Sequence, residues 1–342
     1  MSLPITLAER TLVPDSLIRL GIRSICSKRL REERRIGSEE RLQRLAELRQ
    51  SHIALHTGEA NEQHYEVATE FFERVLGPRL KYSASIFPRA DATLAEAEEN
   101  TLGLYEQRLA LDPGHRVLDL GCGWGSFSLW LAERRPDVRL TAVSNSSTQK
   151  RYIDQQASER GLTNLEVVTA DINALDLEPG TYDRVISIEM FEHVRNYAEL
   201  LAKISRWMAA DGRLFVHIFC HREFLYPYET RGASDWMAKY FFTGGLMPAV
   251  DTLSHFQDDL TLVDQQVYSG DHYARTSRAW LANMDASRDD VRRALTVTYG
   301  DDQVDRWVQR WRIFFMACEE LFGNRNGTEW QIGHYLFEQR NP

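Results

Sequence analysis

The sequence has few cysteines, and none of them has the spacing of a binding site. Its four cysteines are Cys26, Cys122, Cys220 and Cys318. No pair has the close spacing of zinc ligands, and such wide separations do not suggest a disulfide framework. We also find no signal peptide and no apolar run near the roughly 18 residues that a membrane-spanning helix needs. The sequence therefore predicts a soluble, cytoplasmic protein.

An excess of positive charge is missing as well. The 342 residues include 50 acidic and 41 basic side chains, which gives a formal net charge of −9 at pH 7. This balance argues against nucleic acid as the main partner. The hydrophobic fraction of 43% and the aromatic fraction of 11% are enough for a substantial core. A chain of this length allows one large domain or a core with additions.

The first 80 residues show no strand-like alternation and are predicted to form a helical N-terminal arm. Residues 17–31 mix Leu and Ile with Arg and Lys, which gives a basic amphipathic segment. One interpretation is a peripheral contact with an anionic membrane surface. The other is an arm packed on the core with its charges in solvent, which the glutamates at 32, 33, 39 and 40 favour because they dilute the basic character. The sequence also leaves a homodimer open.

A glycine-rich turn organises the rest of the chain. Residues 116–125 have the sequence Arg-Val-Leu-Asp-Leu-Gly-Cys-Gly-Trp-Gly. The apolar run predicts a buried strand, the glycines predict a tight turn that comes close to a ligand, and residues 126–133 predict the following helix. No Lys-Ser/Thr follows, which excludes a phosphate-binding P-loop, and Ser126 breaks the dinucleotide fingerprint. The pattern that remains resembles motif I of class I methyltransferases that use S-adenosylmethionine (SAM).

Strand and helix patterns alternate from this point, which is typical of a parallel α/β sheet. The remaining strands are predicted at 140–144, 165–170, 182–188, 213–220, 260–268 and 331–338. An ordered loop is predicted at 80–88, and a helix begins after Thr93 with a capping box to Glu96. We predict a Rossmann-like class I methyltransferase fold with a seven-stranded, mostly parallel sheet. Its parts are the helical arm (1–80), the SAM-binding core (81–220), a lid insertion (221–259) and the last strands with a helical acceptor-site insertion (260–342).

Eight candidate ligand contacts lie at the ends of the first four predicted strands, where an open α/β sheet binds its ligands. They are Gly121 and Gly123, Asn145 and Gln149, Asp171 and Ile172, and Ile188 and Glu189. Asp171 suits the exocyclic amine of adenine, and Asn145 with Gln149 suits hydroxyl or carboxylate groups. The acidic residue that usually follows the second strand is absent, since Ser144-Asn145 stands there.

Three ionisable side chains lie within five residues at the end of the fourth strand: Glu189, Glu192 and His193. If the stretch is helical, they fall at i, i+3 and i+4 on one face. Neighbouring carboxylates raise the pKa of a histidine and fix its tautomer, which suits a general base near neutral pH. The alternative is an ordinary helix N-terminus with solvated acids. No cysteine or second histidine is near in sequence, so no metal site is predicted.

Several motifs are more specific than the glycine turn, and together they cover roughly residues 60 to 340. They are the segments 80–87, 121–125, 144–150, 187–196, 240–248, 256–259, 272–276 and 319–323. These segments resemble the coclaurine N-methyltransferase family. That family is in turn similar to cyclopropane fatty-acyl-phospholipid synthases and mycolic-acid methyltransferases. The resemblance accounts for the missing acid, because these enzymes carry a Ser-Asn-x-x-x-Gln arrangement in its place.

The resemblance implies roles for individual residues. The implied SAM contacts are Tyr82, Ser83, Gly121, Gly123, Asn145, Gln149, Asp171, Ile172 and Ile188. The implied acid/base cluster is Glu189, Glu192 and His193, and the implied lid includes 240–242 and 311–322. One position departs from the lipid enzymes: their Tyr-Ser-Cys is here Tyr82-Ser83-Ala84. In those enzymes the cysteine belongs to a bicarbonate site, so Ala84 argues against cyclopropanation.

We therefore predict a SAM-dependent methyltransferase that methylates a nitrogen of a small aromatic amine. The amine would have to lose a proton, and His193 supported by Glu189 and Glu192 is the expected base. One alternative is a lipid-modifying enzyme that acts on unsaturated acyl chains. The other is a SAM-binding protein without catalytic activity. Aromatic residues of the lid, with Phe242 and Trp311 as examples, are expected to form the acceptor pocket.

Overall fold

A computed structural model describes residues 3–55, 67–229, 232 and 235–340. The chain begins with helices, as predicted for the arm. They are α1 (Leu3–Glu9), α2 (Asp15–Glu33), α3 (Ser38–Leu48) and α4 (Thr69–Val75). Residues 56–66 of the predicted arm lie outside the described residues. No helix in the described part of the chain is both long and apolar enough to cross a membrane.

The basic segment lies on α2, and one side of this helix packs on the protein. Ile18 and Leu30 are buried in a core formed with the C-terminal helices. Arg19 donates hydrogen bonds to Glu319 at 2.7 Å and to Glu320 at 2.9 Å. At least this basic side chain is therefore used for ion pairs within the protein.

A seven-stranded sheet forms the centre of the molecule, and its strand order is β3-β2-β1-β4-β5-β9-β8. Its strands are β1 (Arg116–Leu120), β2 (Arg139–Ser144), β3 (Leu165–Thr169), β4 (Tyr182–Ile188), β5 (Met208–His221), β8 (Leu260–Ser269) and β9 (Trp330–Gln339). Strands β1 to β5 run parallel, and β9 is antiparallel to both β5 and β8. The predicted seven-stranded, mostly parallel fold is confirmed.

Local sequence signals fix several of these elements. Helix α5 (Leu94–Leu109) begins with the predicted capping box, in which Thr93 and Glu96 satisfy each other's backbone N–H groups. Such a cap contributes about 0.5–2 kcal/mol. Strand β5 begins at Met208 rather than at the predicted residue 213, and it contains a bulge where the pairing shifts from Tyr182↔Met208 to Arg184↔Arg213. The extra residues are accommodated without ending the strand.

Helices cover both sides of the sheet, and the order in which successive strands are added changes sense between β1 and β4. The helices that link the parallel strands are α6 (Ser126–Arg134), α7 (Ser147–Glu159) and α8 (Tyr197–Trp207). The strand order changes sense at β1, since β2 and β3 lie on one side and β4 and β5 on the other. Such a switch point opens a crevice at the carboxyl ends of the strands.

The C-terminal additions form a second, aromatic layer. They are β6 (Tyr226–Pro227), α9 (Trp236–Tyr240), β7 (Leu246–Met247), α10 (Asp271–Ala286), α11 (Arg288–Tyr299) and α12 (Val304–Phe322). Trp280 and Trp311 are buried in this layer together with Phe71 and Phe72 of α4. The Tyr82 ring lies 5.6 Å from Trp280, so the layer also contacts the loop at 80–88.

Candidate active site

The predicted cofactor residues all line one crevice at the carboxyl ends of the parallel strands. They are Tyr82, Ser83, Gly121, Gly123, Asn145, Gln149, Asp171, Ile172 and Ile188. Glu189 and His193 line the same crevice. Its empty volume, including the open mouth, is about 1200 Å³.

The glycine turn after β1 brings the backbone against the crevice. Gly121 has φ +87° and Gly123 has φ +53°, a left-handed conformation that glycine adopts most readily. A Cβ atom at Gly121 would lie 2.8 Å from the Met190 side chain. A Cβ atom at Gly123 would have no neighbouring atom within 4 Å and would occupy free space. Gly121 is thus needed for the fold, and Gly123 leaves room for a ligand.

Gln149 lines this crevice and has an unused hydrogen-bond donor. Its side chain is buried, and its Oε1 accepts a hydrogen bond from the Ser144 hydroxyl at 2.6 Å. Its Nε2 has no hydrogen-bond partner among the described residues. The helix cap fixes this position, because the Gln149 N–H donates to the Ser146 hydroxyl at 3.2 Å. A buried amide N–H without a partner costs about 1–3 kcal/mol, so a ligand acceptor here would be stabilised.

Glu189 is held at the end of β4 by contacts from distant parts of the chain. Its backbone has φ +47°, an uncommon conformation for a residue other than glycine, and one that is found at functional sites. One carboxylate oxygen accepts the Ala84 N–H at 2.8 Å, and the other accepts the Tyr273 hydroxyl at 2.8 Å. Burial raises the pKa of Glu189, and the nearby Lys81 ammonium is the largest opposing influence.

The predicted helical face of Glu189, Glu192 and His193 is wrong. The helical part is a short 3₁₀ turn over Phe191–His193, and Glu189, which precedes it, has a left-handed backbone conformation. Glu192 is fully buried, and its Oε1 accepts the Phe219 N–H at 2.7 Å. Burial, and then the neighbouring Glu189, raise the pKa of Glu192 well above its ordinary value. Glu192 therefore lies behind the crevice wall and favours its protonated form.

His193 lies at the crevice and packs against an aromatic side chain of the C-terminal part. Its ring is partly buried and meets Phe242 edge-on, with centroids 4.8 Å apart. Phe242 also packs against Phe219 and Tyr228. Trp311 behaves differently from the expectation, because it is fully buried, 4.7 Å from the Phe71 ring. Of the two example residues, only Phe242 is near the crevice, and Trp311 belongs to the core.

Three residues of the site were missed by sequence reasoning: Lys81, His217 and Tyr273. Lys81 lines the crevice although its side chain is buried. Tyr273 binds Glu189, and the Nε2 of His217 lies 3.3 Å from a Glu189 oxygen. Lys81 and Tyr273 lie in two of the segments that carry the resemblance, at 80–87 and 272–276, and this was the only signal that could have found them. In the described part of the chain, no group of three or more His, Cys, Asp or Glu could hold a metal ion.

Comparisons with known proteins identify the family. The family model "Mycolic acid cyclopropane synthetase" matches residues 54–332. The (S)-coclaurine N-methyltransferase of Thalictrum flavum subsp. glaucum is 38% identical over 97% of this chain and 94% of its own length. That of Papaver somniferum is 37% identical over 97% and 96% of the two chains. A crystal structure of coclaurine N-methyltransferase bound to N-methylheliamine and SAH has a TM-score of 0.93 and 36% identity, covering 98% of each chain. The chain thus belongs to the mycolic acid cyclopropane synthetase family and, within it, is a SAM-dependent methyltransferase of the coclaurine N-methyltransferase type.

Proposed function

We propose that this protein transfers the methyl group of SAM to a nitrogen of a small aromatic amine. The observation that carries the proposal is that a buried carboxylate, Glu189, and an imidazole, His193, line the same crevice as the glycine turn and Gln149. The relatives named as N-methyltransferases support nitrogen as the acceptor atom. The bound N-methylheliamine in the similar structure supports a small acceptor.

The residues of the crevice fit SAM. Gln149 offers its unused amide donor to a carboxylate or hydroxyl, and the free space at Gly123 allows close contact with the backbone. Asp171 is partly buried at the crevice and offers a carboxylate to an amine or hydroxyl, while Asn145 offers a neutral amide. Bound SAM supplies an electrophilic methyl group on a sulfonium. The remaining proposed contacts are Tyr82, Ser83, Gly121, Ile172 and Ile188.

Glu189 is proposed to attract and orient the acceptor. An amine enters as a cation near neutral pH, and an acidic crevice concentrates cations. The Ala84 N–H and the Tyr273 hydroxyl fix the carboxylate, so it does not need to reorganise when the amine arrives. The partly buried Phe219 and Phe242 rings offer apolar and cation–π contacts to an aromatic ammonium.

His193 is proposed to remove the proton. A protonated amine has no lone pair, so a base must take the proton before or during attack. A histidine at the crevice has the right unperturbed pKa for this role near pH 7. In this proposal Glu192 acts from behind the wall, because its bond to the Phe219 N–H connects the 3₁₀ turn that carries His193 to β5.

Positioning is the other proposed source of catalysis. The crevice would hold the donor and the acceptor in line, and such alignment can supply roughly 7–11 kcal/mol of a barrier. The alternative of acyl-chain modification has less support in this chain. Ala84 is fully buried where the lipid enzymes carry cysteine, and its N–H is already used by Glu189.

Incubation with SAM and a panel of primary, secondary and tertiary amines tests the proposal. Mass spectrometry should detect a methylated amine together with an equal amount of SAH. Fragmentation should locate the new methyl group on nitrogen rather than on carbon or oxygen. A panel in which aromatic amines are untouched while phenols or unsaturated lipids are modified would contradict the proposal.

A further inference from the structure

A buried lysine lies directly beneath the crevice. The Lys81 side chain is only 2% exposed. Its Nζ donates to the Ser83 hydroxyl at 2.6 Å and to the Ala84 carbonyl at 2.5 Å. The same Nζ lies 5.4 Å from the centroid of the Tyr105 ring, within the range of a cation–π contact. Three acceptors thus surround a group with three N–H donors, which is the environment of an ammonium ion.

A fully buried ammonium requires an anion nearby, because desolvation otherwise favours the neutral amine. Burial lowers the pKa of Lys81 to about 8, and Glu189, followed by Glu98, acts in the opposite direction. The Glu98 carboxylate contacts the backbone of the loop that carries Lys81, since it accepts the Arg79 N–H at 2.9 Å and also bonds the backbone of Lys81. Burial raises the pKa of Glu98 to about 7. Glu189 is therefore the stronger candidate for the counter-ion of Lys81.

Lys81 and Glu189 are connected by a closed ring of buried contacts. The Ala84 backbone links them, because its carbonyl accepts from Lys81 and its N–H donates to Glu189. On the other side, the Tyr105 ring faces Lys81, while its hydroxyl is 2.8 Å from Nδ1 of His217. The Nε2 of His217 lies 3.3 Å from Glu189, without the alignment of a hydrogen bond. The carboxylate is thus held rigidly at a fixed position relative to the lysine.

Among the described residues, two other titratable side chains contact Glu189, those of His217 and Tyr273, and neither supplies a positive charge. The Nδ1 of His217 lies 2.8 Å from the Tyr105 hydroxyl and 2.9 Å from Nε2 of His334. Burial lowers the pKa of His217 well below its ordinary value, and Lys81 adds to that effect. Tyr273 is a neutral donor, and burial raises the pKa of its hydroxyl. Glu192 and Cys318 are acidic groups nearby, and burial together with the negative charge of Glu189 raises the pKa of each.

We propose that Lys81 is a charge-setting residue of the acceptor site: its buried ammonium keeps Glu189 ionised, so that the crevice binds its amine as a cation. Lys81 does not touch the acceptor, and it acts through Glu189 as a positioning residue. The inference rests on the proposed function in one respect, namely that Glu189 faces the amine. The pairing of the two side chains can be tested without any acceptor.

A double-mutant cycle on the purified full-length protein tests the pairing. The variants are Lys81→Met, Glu189→Gln and their combination, and the measurement is the urea midpoint at pH 7. We expect the fall caused by Lys81→Met to be at least halved in the Glu189→Gln background, because no buried anion is then left without its cation. Glu98→Gln is the matched control, and it should relieve the effect of Lys81→Met less than Glu189→Gln does. The proposal would be overturned if Lys81→Met lowered the urea midpoint equally in all backgrounds. It would also be overturned if Glu98→Gln reduced the effect of Lys81→Met more than Glu189→Gln does.

If Lys81→Met alone does not fold, the yield of folded protein provides the same comparison. Recovery of folded protein in Lys81→Met/Glu189→Gln, without recovery in Lys81→Met/Glu98→Gln, supports the pairing. Failure of both combinations would mean that Lys81 is needed for a reason other than Glu189, and would overturn the proposal.

The pH profile of kcat/KM for an amine that the wild type methylates tests the functional part. In Lys81→Met the acidic limb should move to higher pH by about one unit or more, the effect of losing a close opposite charge. Lys81 bonds one proposed SAM contact, Ser83, whereas Gly123, Gln149 and Asp171 lie on other elements, so the Kd for SAM should rise only a few-fold. Lys81→Arg should move the limb back toward the wild type. An unchanged limb in Lys81→Met would overturn the charge-setting role, whereas a wild type inactive on every amine would refute the proposed function alone.

Discussion

Replacing His193 by alanine should remove the base while leaving the cofactor site intact. The ring is partly buried and packs edge-on against Phe242, so its loss costs less stability than a core truncation. SAM affinity should stay close to that of the wild type, because Gln149 and Gly123 lie after other strands of the sheet. Turnover should fall by roughly 10²–10⁴, the usual contribution of a positioned acid or base. This range corresponds to about 3–5 kcal/mol of transition-state stabilisation.

The assay is a pH–rate series at saturating SAM with an amine that the wild type methylates. Higher pH should partly rescue His193→Ala, because more of the acceptor is then already neutral. Glu192→Gln is the matched control at the neighbouring position. An amide keeps the acceptor for the Phe219 N–H, so this variant should be milder than His193→Ala. A His193→Ala protein with wild-type kcat across the series would refute the base, leaving positioning as the source of catalysis.

Three further predictions concern the cofactor turn, the aromatic residues and a buried acid. Gly123→Val should abolish SAM binding in calorimetry, because its side chain would fill free space in the crevice. The φ of +53° adds a cost of at least about 1–2 kcal/mol for a β-branched residue, so circular dichroism should first show that the variant is folded. Unchanged affinity would refute the assigned role of the turn. Phe242→Ala should raise the KM for the amine more than the Kd for SAM. Trp311→Ala should mainly lower the free energy of unfolding, by about 3–5 kcal/mol, because the Trp311 side chain is fully buried. The opposite pattern in kinetics and urea unfolding would show that the roles of the two residues were exchanged. Burial raises the pKa of Asp119 to about 7, so its contribution to stability is complete below pH 4 and is lost as the pH rises through 7. The stability of Asp119→Asn relative to wild type should therefore increase between pH 4 and 7 by roughly 1.4 kcal/mol per unit and stay constant above, and a difference independent of pH in urea unfolding would contradict the shift.

The elements that sequence analysis identified correctly depend on short stretches of chain. The capping box of Thr93 and Glu96 spans four residues, and it is present as predicted. The buried strand before Gly121 follows from a continuous apolar run. The crevice residues could be assembled because parallel strands place their carboxyl ends along one edge.

The features that sequence analysis missed depend on partners far away in the chain. The partners of Glu189 are 105 residues before it, at Ala84, and 84 residues after it, at Tyr273. Helical spacing could not reveal them, since the backbone at Glu189 is left-handed. Lys81 is in a loop, where a lysine is usually solvated, and it is buried against Tyr105, which is 24 residues later in the chain.

The central claim is that the methyl group goes to an amine nitrogen bound at Glu189 and His193. The most direct measurement is a competition in which methyl-labelled SAM meets equal amounts of a small aromatic secondary amine and unsaturated phospholipid vesicles. We predict that the label appears on the amine nitrogen, that SAH forms in equal amount, and that Glu189→Gln greatly reduces the transfer. Label in the acyl chains, or tight SAM binding without transfer to either acceptor, would contradict the account.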